Sequence, residues 1–309
     1  MNVFVALNRA AGQTVCEQVR ESLDSHLRSS RMSYKIHETQ KGENLGEIVR
    51  DAMRQGFDIA VAAGGDGTVS AVIDGISGSP VPLGIVPTGT GNLIARELSI
   101  PEEIDDAVRL IAGTPQSRKI DAMKIGGRVF VLNASIGVSA AVISDTTRKS
   151  KKYLGRIAYF FTTILKIFTL KRRQIVVTVD GIGQEYRAIE AAIMNCGILA
   201  KMLYPKAPEI RIDDGYLDIL IIGTKPFRDY PLYLLGILAG RTPDIISRFI
   251  KVRRNVAIRS DVPLKVQADG DMIGTTPLEI EVMPSAVTVL VPGEDMSIPS
   301  LDSGHKTME

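Results

Sequence analysis

Residues 59–70, IAVAAGGDGTVS, run five apolar residues straight into a turn built of three glycines, an aspartate and a threonine. A short continuous apolar run is what a strand buried on both faces of a parallel sheet looks like. Glycines directly after it let backbone N–H groups close on an anion with no Cβ in the way, just ahead of a helix N-terminus. VFVAL (3–7) and LGIVP (83–87) are expected strands of the same kind. Between the first two, Thr14 with Glu17 has the spacing of a capping box opening a helix through Leu27, and Leu45, Ile48, Val49, Ala52 and Met53 trace one apolar stripe. Ser99 with Glu102 is expected to cap another helix, with Ile104, Ala107, Val108 and Ile111 on one face and Gly113 at its end. Strand and helix in alternation make a doubly wound α/β unit.

The pattern changes near Lys119. KIDAMKI, RVFVLN, QIVVTVDG, AAIMNC, YLDILII, NVAIRS, LKVQAD, LEIEV and VTVLVP follow one another as strands, several alternating with period two. A β-rich sandwich or barrel-like second domain is expected. The boundaries drawn are 1–118 for the α/β nucleotide-binding domain and 119–292 for the β-rich domain, with helical insertions at 153–170 and 230–250 and a tail, 293–309, that could return to the first domain. A chain of 309 residues has the length for two such cores.

The net charge of +2 gives no global field for nucleic acid, so none is expected as a partner. Cys16 and Cys196 have no metal or disulfide spacing and are read as core residues, and His26, His37 and His305 do not cluster. The first residues read as a strand, not a secretory signal, and the longest uncharged stretch, 75–95, is broken by Pro80, Pro82 and Pro87. The expected location is cytoplasmic, with peripheral contact to a membrane.

Neither GxxxxGKS/T nor a strict GxGxxG is present, so phosphate binding rests on two other turns. GGDGTVS places Gly64, Gly65, Asp66, Gly67, Thr68, Val69 and Ser70 outside the carboxyl end of a strand, where open α/β sheets bind ligands. PTGTGN places Thr90, Gly91 and Asn92 in the same position one strand on, and two such turns on neighbouring strands form one crevice. Asp66 among phosphates requires a balancing metal or polar network.

With NRAAG (8–12), Thr39 in HETQ, IDDGYLDI (212–219) and QADGD (267–271), these turns make the sequence resemble the diacylglycerol kinase catalytic-domain superfamily, particularly bacterial soluble lipid kinases related to sphingosine kinases. GGDGT alone is shared with NAD kinases; the ordered set is more specific. The resemblance implies transfer of the γ-phosphoryl group of ATP, with Mg²⁺, to a lipid with a free hydroxyl, diacylglycerol by default. It implies nucleotide contacts from Asn8, Arg9, Ala10, Ala11, Gly12, Thr39, the 64–70 loop and Thr90. It implies a metal on Asp214 with the backbone carbonyls of Arg211 and Tyr216, and a general base at Asp271. Mg²⁺ on carboxylates such as Asp66 would neutralise phosphate charge, which makes Asp66 the second catalytic candidate. The chain departs from the family in Asn8-Arg9 where Asn-Pro is usual and in aspartate, not glutamate, at 271.

The helices expected at 153–170 and 230–250 would face lipid or pack in the core, the first between the basic runs RKSKK (148–152) and KRR (171–173). Tyr204 and Pro205 are candidates for the acceptor pocket. Two alternatives stand beside the lipid kinase: an NAD kinase, and a non-catalytic nucleotide-binding regulator, motivated by Asp271. A homodimer is left open.

Overall fold

The computed structural model describes residues 1–137, 140, 172–204, 207–223 and 246–293. The expected insertion 153–170 and its first basic flank, most of 230–250, Pro205 and the tail from 294 lie outside the described residues. The last five residues of the second expected insertion, 246–250, are not helical but open a strand, Ile246–Val252.

The first strands are β1 (Asn2–Leu7), β2 (Ser33–Glu38), β3 (Ile59–Gly64) and β4 (Leu83–Pro87). They pair in parallel in the order β2-β1-β3-β4. Helices α1 (Gln13–Ser29) and α5 (Ile104–Ala112) cover one face of this sheet, while α2 (Leu45–Arg54) and α3 (Asp66–Ile76) cover the other, with α4 (Leu93–Glu97) beyond β4. Val19, Leu23 and Leu27 of α1 and Val108 and Ile111 of α5 meet Val3, Val5 and Val61, whereas Val49, Val69, Val72 and Ile73 meet Phe4, Ala60 and Ala62. Both faces are therefore buried, which is why these strands read as unbroken apolar runs.

Two helix starts differ from expectation. Helix α1 begins at Gln13 behind Gly12, whose φ of 104° suits glycine alone, so Thr14 lies inside the helix and Glu17 instead accepts a hydrogen bond from Gln13 Nε2 at 3.0 Å. Helix α5 begins after Glu103; Ser99 sits earlier, at φ 55°, in the turn that ends α4.

Strands β5 (Gln116–Ile125), β6 (Arg128–Phe130) and β7 (Asn133–Gly137) follow, then β8 (Arg173–Val179), β9 (Ile182–Ala188), β10 (Glu190–Met194), helix α6 (Gly197–Leu203), β11 (Leu217–Ile222), β12 (Ile246–Val252), β13 (Asn255–Ser260), β14 (Lys265–Ala268), β15 (Asp271–Thr275) and β16 (Leu278–Val291). Among the described residues, β12-β11-β10-β7-β14-β15 form an antiparallel sheet, and β16, β13, β8 and β9 continue the first sheet beyond β4. The two sheets enclose a second core of Ala191, Ile193, Leu217, Ile219, Val256, Ile258, Leu278 and Ile280. The second domain is thus a sandwich.

LEIEV and VTVLVP are one strand, β16, with an irregularity between Met283 and Val287. Its second half pairs with β5 and meets β4 at Val289–Leu83, so β5 crosses the boundary drawn at 118/119 and β16 carries the chain back to the first sheet.

One carboxylate ties the two halves together. Asp269, in the left-handed region at φ 46° in the turn between β14 and β15, turns its side chain inward. Its Oδ2 accepts from Ser70 Oγ of α3 (2.6 Å) and Val131 N–H (2.9 Å), and its Oδ1 accepts from Leu132 N–H (2.9 Å) and Asn133 N–H (3.0 Å). Ser70, Val131, Leu132 and Asn133 are all buried. Without Asp269 these donors lose their acceptor, and unsatisfied buried groups cost about 1–3 kcal/mol each. Asp269→Ala is expected to lower stability by about 2–4 kcal/mol, seen as an earlier urea midpoint, with Ser70→Ala costing about 1 kcal/mol.

Candidate active site

Parallel pairing brings the carboxyl ends of β1 to β4 to one edge, and the loops that leave them converge there. Asn8 N–H donates to Ala63 O (2.9 Å) and Thr39 N–H to Leu7 O (2.9 Å), fastening Asn8 beside the end of β3 and Thr39 beside the end of β1. Asn8 Oδ1 accepts from Ala10 N–H (3.0 Å) and from Thr39 Oγ1 (3.4 Å), shaping the short 3-10 turn Arg9–Ala11 before Gly12. Arg9 is exposed, with Nε 3.2 Å from Glu38 Oε2. Cys16 is half-buried below this turn, its Sγ 3.8 Å from Asn8 O, while Cys196 is fully in the core.

The glycines of the next two loops serve the protein's own packing first. A Cβ on Gly89 would stand 2.5 Å from Gly65 Cα, and one on Gly64 would stand 2.3 Å from Thr68 Oγ1. Gly64 O accepts from Thr88 N–H at 3.1 Å, and Asn92 closes the second loop with two 3.0 Å bonds to Gly89, Oδ1 accepting from N–H and Nδ2 donating to O. Of the three glycines in GGDGTVS, Gly67 alone faces open space at the first turn of α3. Thr88 Oγ1 is buried between the loops without a partner.

Asp66, the first residue of α3, directs Oδ1 to Ile94 N–H (3.1 Å), at the start of α4. Burial raises its carboxyl above the ordinary value, against the pull of the Ile94 and Leu93 N–H groups. A polar network therefore meets its charge, and the same bond locks the two loops into one crevice. Thr90 is exposed at the crevice rim, beside Gly91.

Asp271 opens β15 with its side chain 72% exposed, and Arg128 Nη2 lies 3.8 Å from its Oδ2. Arg128 itself is stacked over the Phe130 ring at 4.9 Å. Asp269, two residues before Asp271, holds Ser70, and Ser70 stands one helical turn, about 6 Å of rise, above Asp66. The β14–β15 turn is thereby brought onto the side of the GGDGTVS helix. The sequence singled out QADGD without assigning Asp269; its only local signal is the Asp-Gly pair that favours a left-handed turn.

Asp214, Arg211 and Tyr216 form a separate cluster. Asp214 Oδ1 accepts from Tyr216 N–H (3.1 Å) and its Oδ2 receives Lys251 Nζ of β12 at 2.9 Å. The Arg211 side chain turns to Asp213, which is also held by Arg118 Nη2 at 2.7 Å. Asp121, buried in β5, accepts from Gly215 N–H (2.6 Å) and Ser285 N–H (2.7 Å), fixing this turn against the irregularity of β16. Among the described residues no group of three His, Cys, Asp or Glu side chains could hold a metal ion, and the expected set here has one carboxylate, Asp214, beside two backbone carbonyls. Tyr204 ends α6, and Glu97 at the end of α4 accepts from Ile198 N–H at 2.8 Å, linking α6 to the crevice.

Residues 2–125 match the diacylglycerol kinase catalytic domain, and residues 133–291 match the YegS C-terminal NAD kinase beta sandwich-like domain. The chain belongs to the diacylglycerol kinase catalytic-domain superfamily. It is a kinase of the lipid-kinase type, and kinase chemistry implies use of ATP. A YegS-like lipid kinase of Pseudomonas aeruginosa is 29% identical, covering 89% of this chain and 90% of the relative. A diacylglycerol kinase of Staphylococcus aureus is 26% identical, with 93% and 91% covered. A solved structure of a diacylglycerol kinase from Bacillus anthracis str. Sterne shares the fold, with a TM-score of 0.73 at 22% identity over 94% of this kinase and 96% of that chain.

Two measurements check the site as built. Gly89→Ala is expected to lower this kinase's thermal midpoint, because its Cβ meets backbone, while Gly67→Ala leaves it unchanged or higher by the ordinary gain of about 0.5–1 kcal/mol for alanine in a helix. Asp218, 2% exposed on β11, has its carboxyl pushed up to about 6 by burial. A raised folded pKa makes its contribution fullest below the unfolded value of about 3.9 and lost as pH rises through the folded one. Asp218→Asn is therefore expected to gain stability relative to wild type as pH rises from about 4 to about 6 in urea titrations.

Proposed function

We propose that this kinase transfers the γ-phosphoryl group of ATP to the hydroxyl of a lipid, with diacylglycerol the default acceptor. The observation that carries the proposal is the tie from Asp269 to Ser70, which sets the Asp271 turn beside the GGDGTVS helix. Phosphoryl transfer is mostly positioning and charge neutralisation, so a phosphate crevice with a carboxylate carried on the neighbouring β14–β15 turn would supply its main needs.

ATP fits the crevice on two grounds: the open face at Gly67 on the first turn of α3, and the unpartnered hydroxyl of Thr88 between the loops. Gly67 and Thr90 would then meet phosphates, with Asn8 to Gly12 and Thr39 lining the adjoining wall and the buried Thr68 packed against Gly64. Val69 and Ser70 sit deeper and are buried, so their part is to shape α3. Gly64, Gly65, Gly91 and Asn92 act through the loop geometry. Mg²⁺ accompanying the nucleotide would neutralise phosphate charge, and Asp66 would be the carboxylate at hand, since the backbone N–H groups around it, Ile94 foremost, need not exhaust the lone pairs of its two oxygens. Asp271 takes the proton of the acceptor hydroxyl as attack proceeds, a contribution of about 10²–10⁴-fold in general-base catalysis. A lipid acceptor implies peripheral contact with a membrane from the cytoplasmic side. No helix among the described residues is long and apolar enough to cross one.

The test is transfer of labelled γ-phosphate from ATP with Mg²⁺ to mixed-micelle diacylglycerol, sphingoid base, ceramide, phosphatidylglycerol and polyprenol. The expected outcome is one labelled lipid, with labelling reduced by about 10²-fold or more in Asp271→Ala while ATP binding is retained. Equal labelling by the variant would remove Asp271 from the reaction, and no labelling of any lipid despite ATP binding would overturn the proposed transfer.

A further inference from the structure

The turn at 212–218, where a divalent ion is the expectation, already contains a cation of its own. Lys251 stands directly opposite Asp218 across the antiparallel pair β11–β12, so both side chains rise from the same face of the sheet. From there the ammonium reaches Asp214 Oδ2 at 2.9 Å and lies 5.2 Å from the centre of the Tyr216 ring.

Two neighbouring carboxylates are met from within the protein: Asp121 takes two backbone N–H groups and Asp213 takes Arg118 and Arg211. Asp218 stands across the strand pair from Lys251, with its Oδ2 buried and without a hydrogen-bond partner. Both oxygens of Asp214 are engaged, one by Tyr216 N–H and one by the ammonium. A divalent cation drawn to Asp214 would have to displace this ammonium from Oδ2 or sit beside its positive charge.

We propose that Lys251 is the resident cation of the 212–218 turn, standing in for a divalent ion, and that this turn binds no metal in this chain. Any requirement of the reaction for Mg²⁺ then belongs to the nucleotide and not to the integrity of the fold. The inference does not depend on which acceptor is phosphorylated.

The test uses the full chain without nucleotide, comparing thermal midpoints in EDTA and in excess Mg²⁺ for wild type, Lys251→Met, and Lys251→Met combined with Asp214→Asn. Wild type is expected to melt at the same temperature in both. Lys251→Met is expected to melt a few degrees lower in EDTA and to recover on addition of Mg²⁺, because Asp214 and Asp218 are then free to take an ion. The double variant is expected to lose that recovery. A wild-type midpoint that rises with Mg²⁺, with the rise abolished by Asp214→Asn alone, would overturn the proposal. So would a Lys251→Met chain that melts with wild type and ignores the metal. Should Lys251→Met fail to fold, the comparison of wild type with Asp214→Asn decides the question by itself.

Discussion

The Asp269 carboxylate is the interaction on which the arrangement of the two halves depends. Each oxygen accepts two hydrogen bonds, from donors on α3, on the 131–133 connection and from nowhere else along its own hairpin. Burying a carboxylate is costly unless its lone pairs are met, and the three consecutive N–H groups of residues 131–133 would be equally costly without it. The observed placement of helix, connection and hairpin satisfies both sides. The left-handed conformation of Asp269 follows, because the turn must aim its side chain inward while Asp271 points out.

A second constraint acts within the crevice. Gly65 and Gly89 lie backbone to backbone, and Asp66 reaches across to Ile94, so the two glycine turns behave as one unit. Most of the glycines in these motifs are required by contact between the loops. Gly67 differs, since open space lies where its side chain would be. Seen this way, the question posed by GGDGTVS has two answers in one segment: close packing at its start and an open helix N-terminus one residue later.

The sequence was legible where burial is uniform. Strands β1, β3 and β4 are covered on both faces, as is β11, and their apolar runs showed it; the alternating runs of the second domain likewise marked β8 and β13. Strand β2, half-buried and mostly polar, and strand β9, largely exposed, went unread because they carry little apolar signal. Helix starts were misread for a different reason. The Thr14–Glu17 and Ser99–Glu102 spacings satisfy a local pattern, but Gly12 and Glu103 hold the cap positions because the preceding turns fix where the chain enters the helix. Asp269 could not have been found locally, since its partners lie 136 to 199 positions away in sequence. The same holds for Lys251, whose place opposite Asp218 depends on strand pairing that no spacing encodes.

The measurement that bears most directly on this account is a crystal structure of the chain with a non-hydrolysable ATP analogue. The account predicts the terminal phosphate at the first turn of α3, over Gly67 and within the 64–70 and 88–92 loops, with the Asp269–Ser70 bond intact and the Asp271 carboxylate facing that phosphate across the space left for an acceptor hydroxyl. A nucleotide bound elsewhere, or one bound in the crevice with the Asp271 turn swung away from α3, would contradict it.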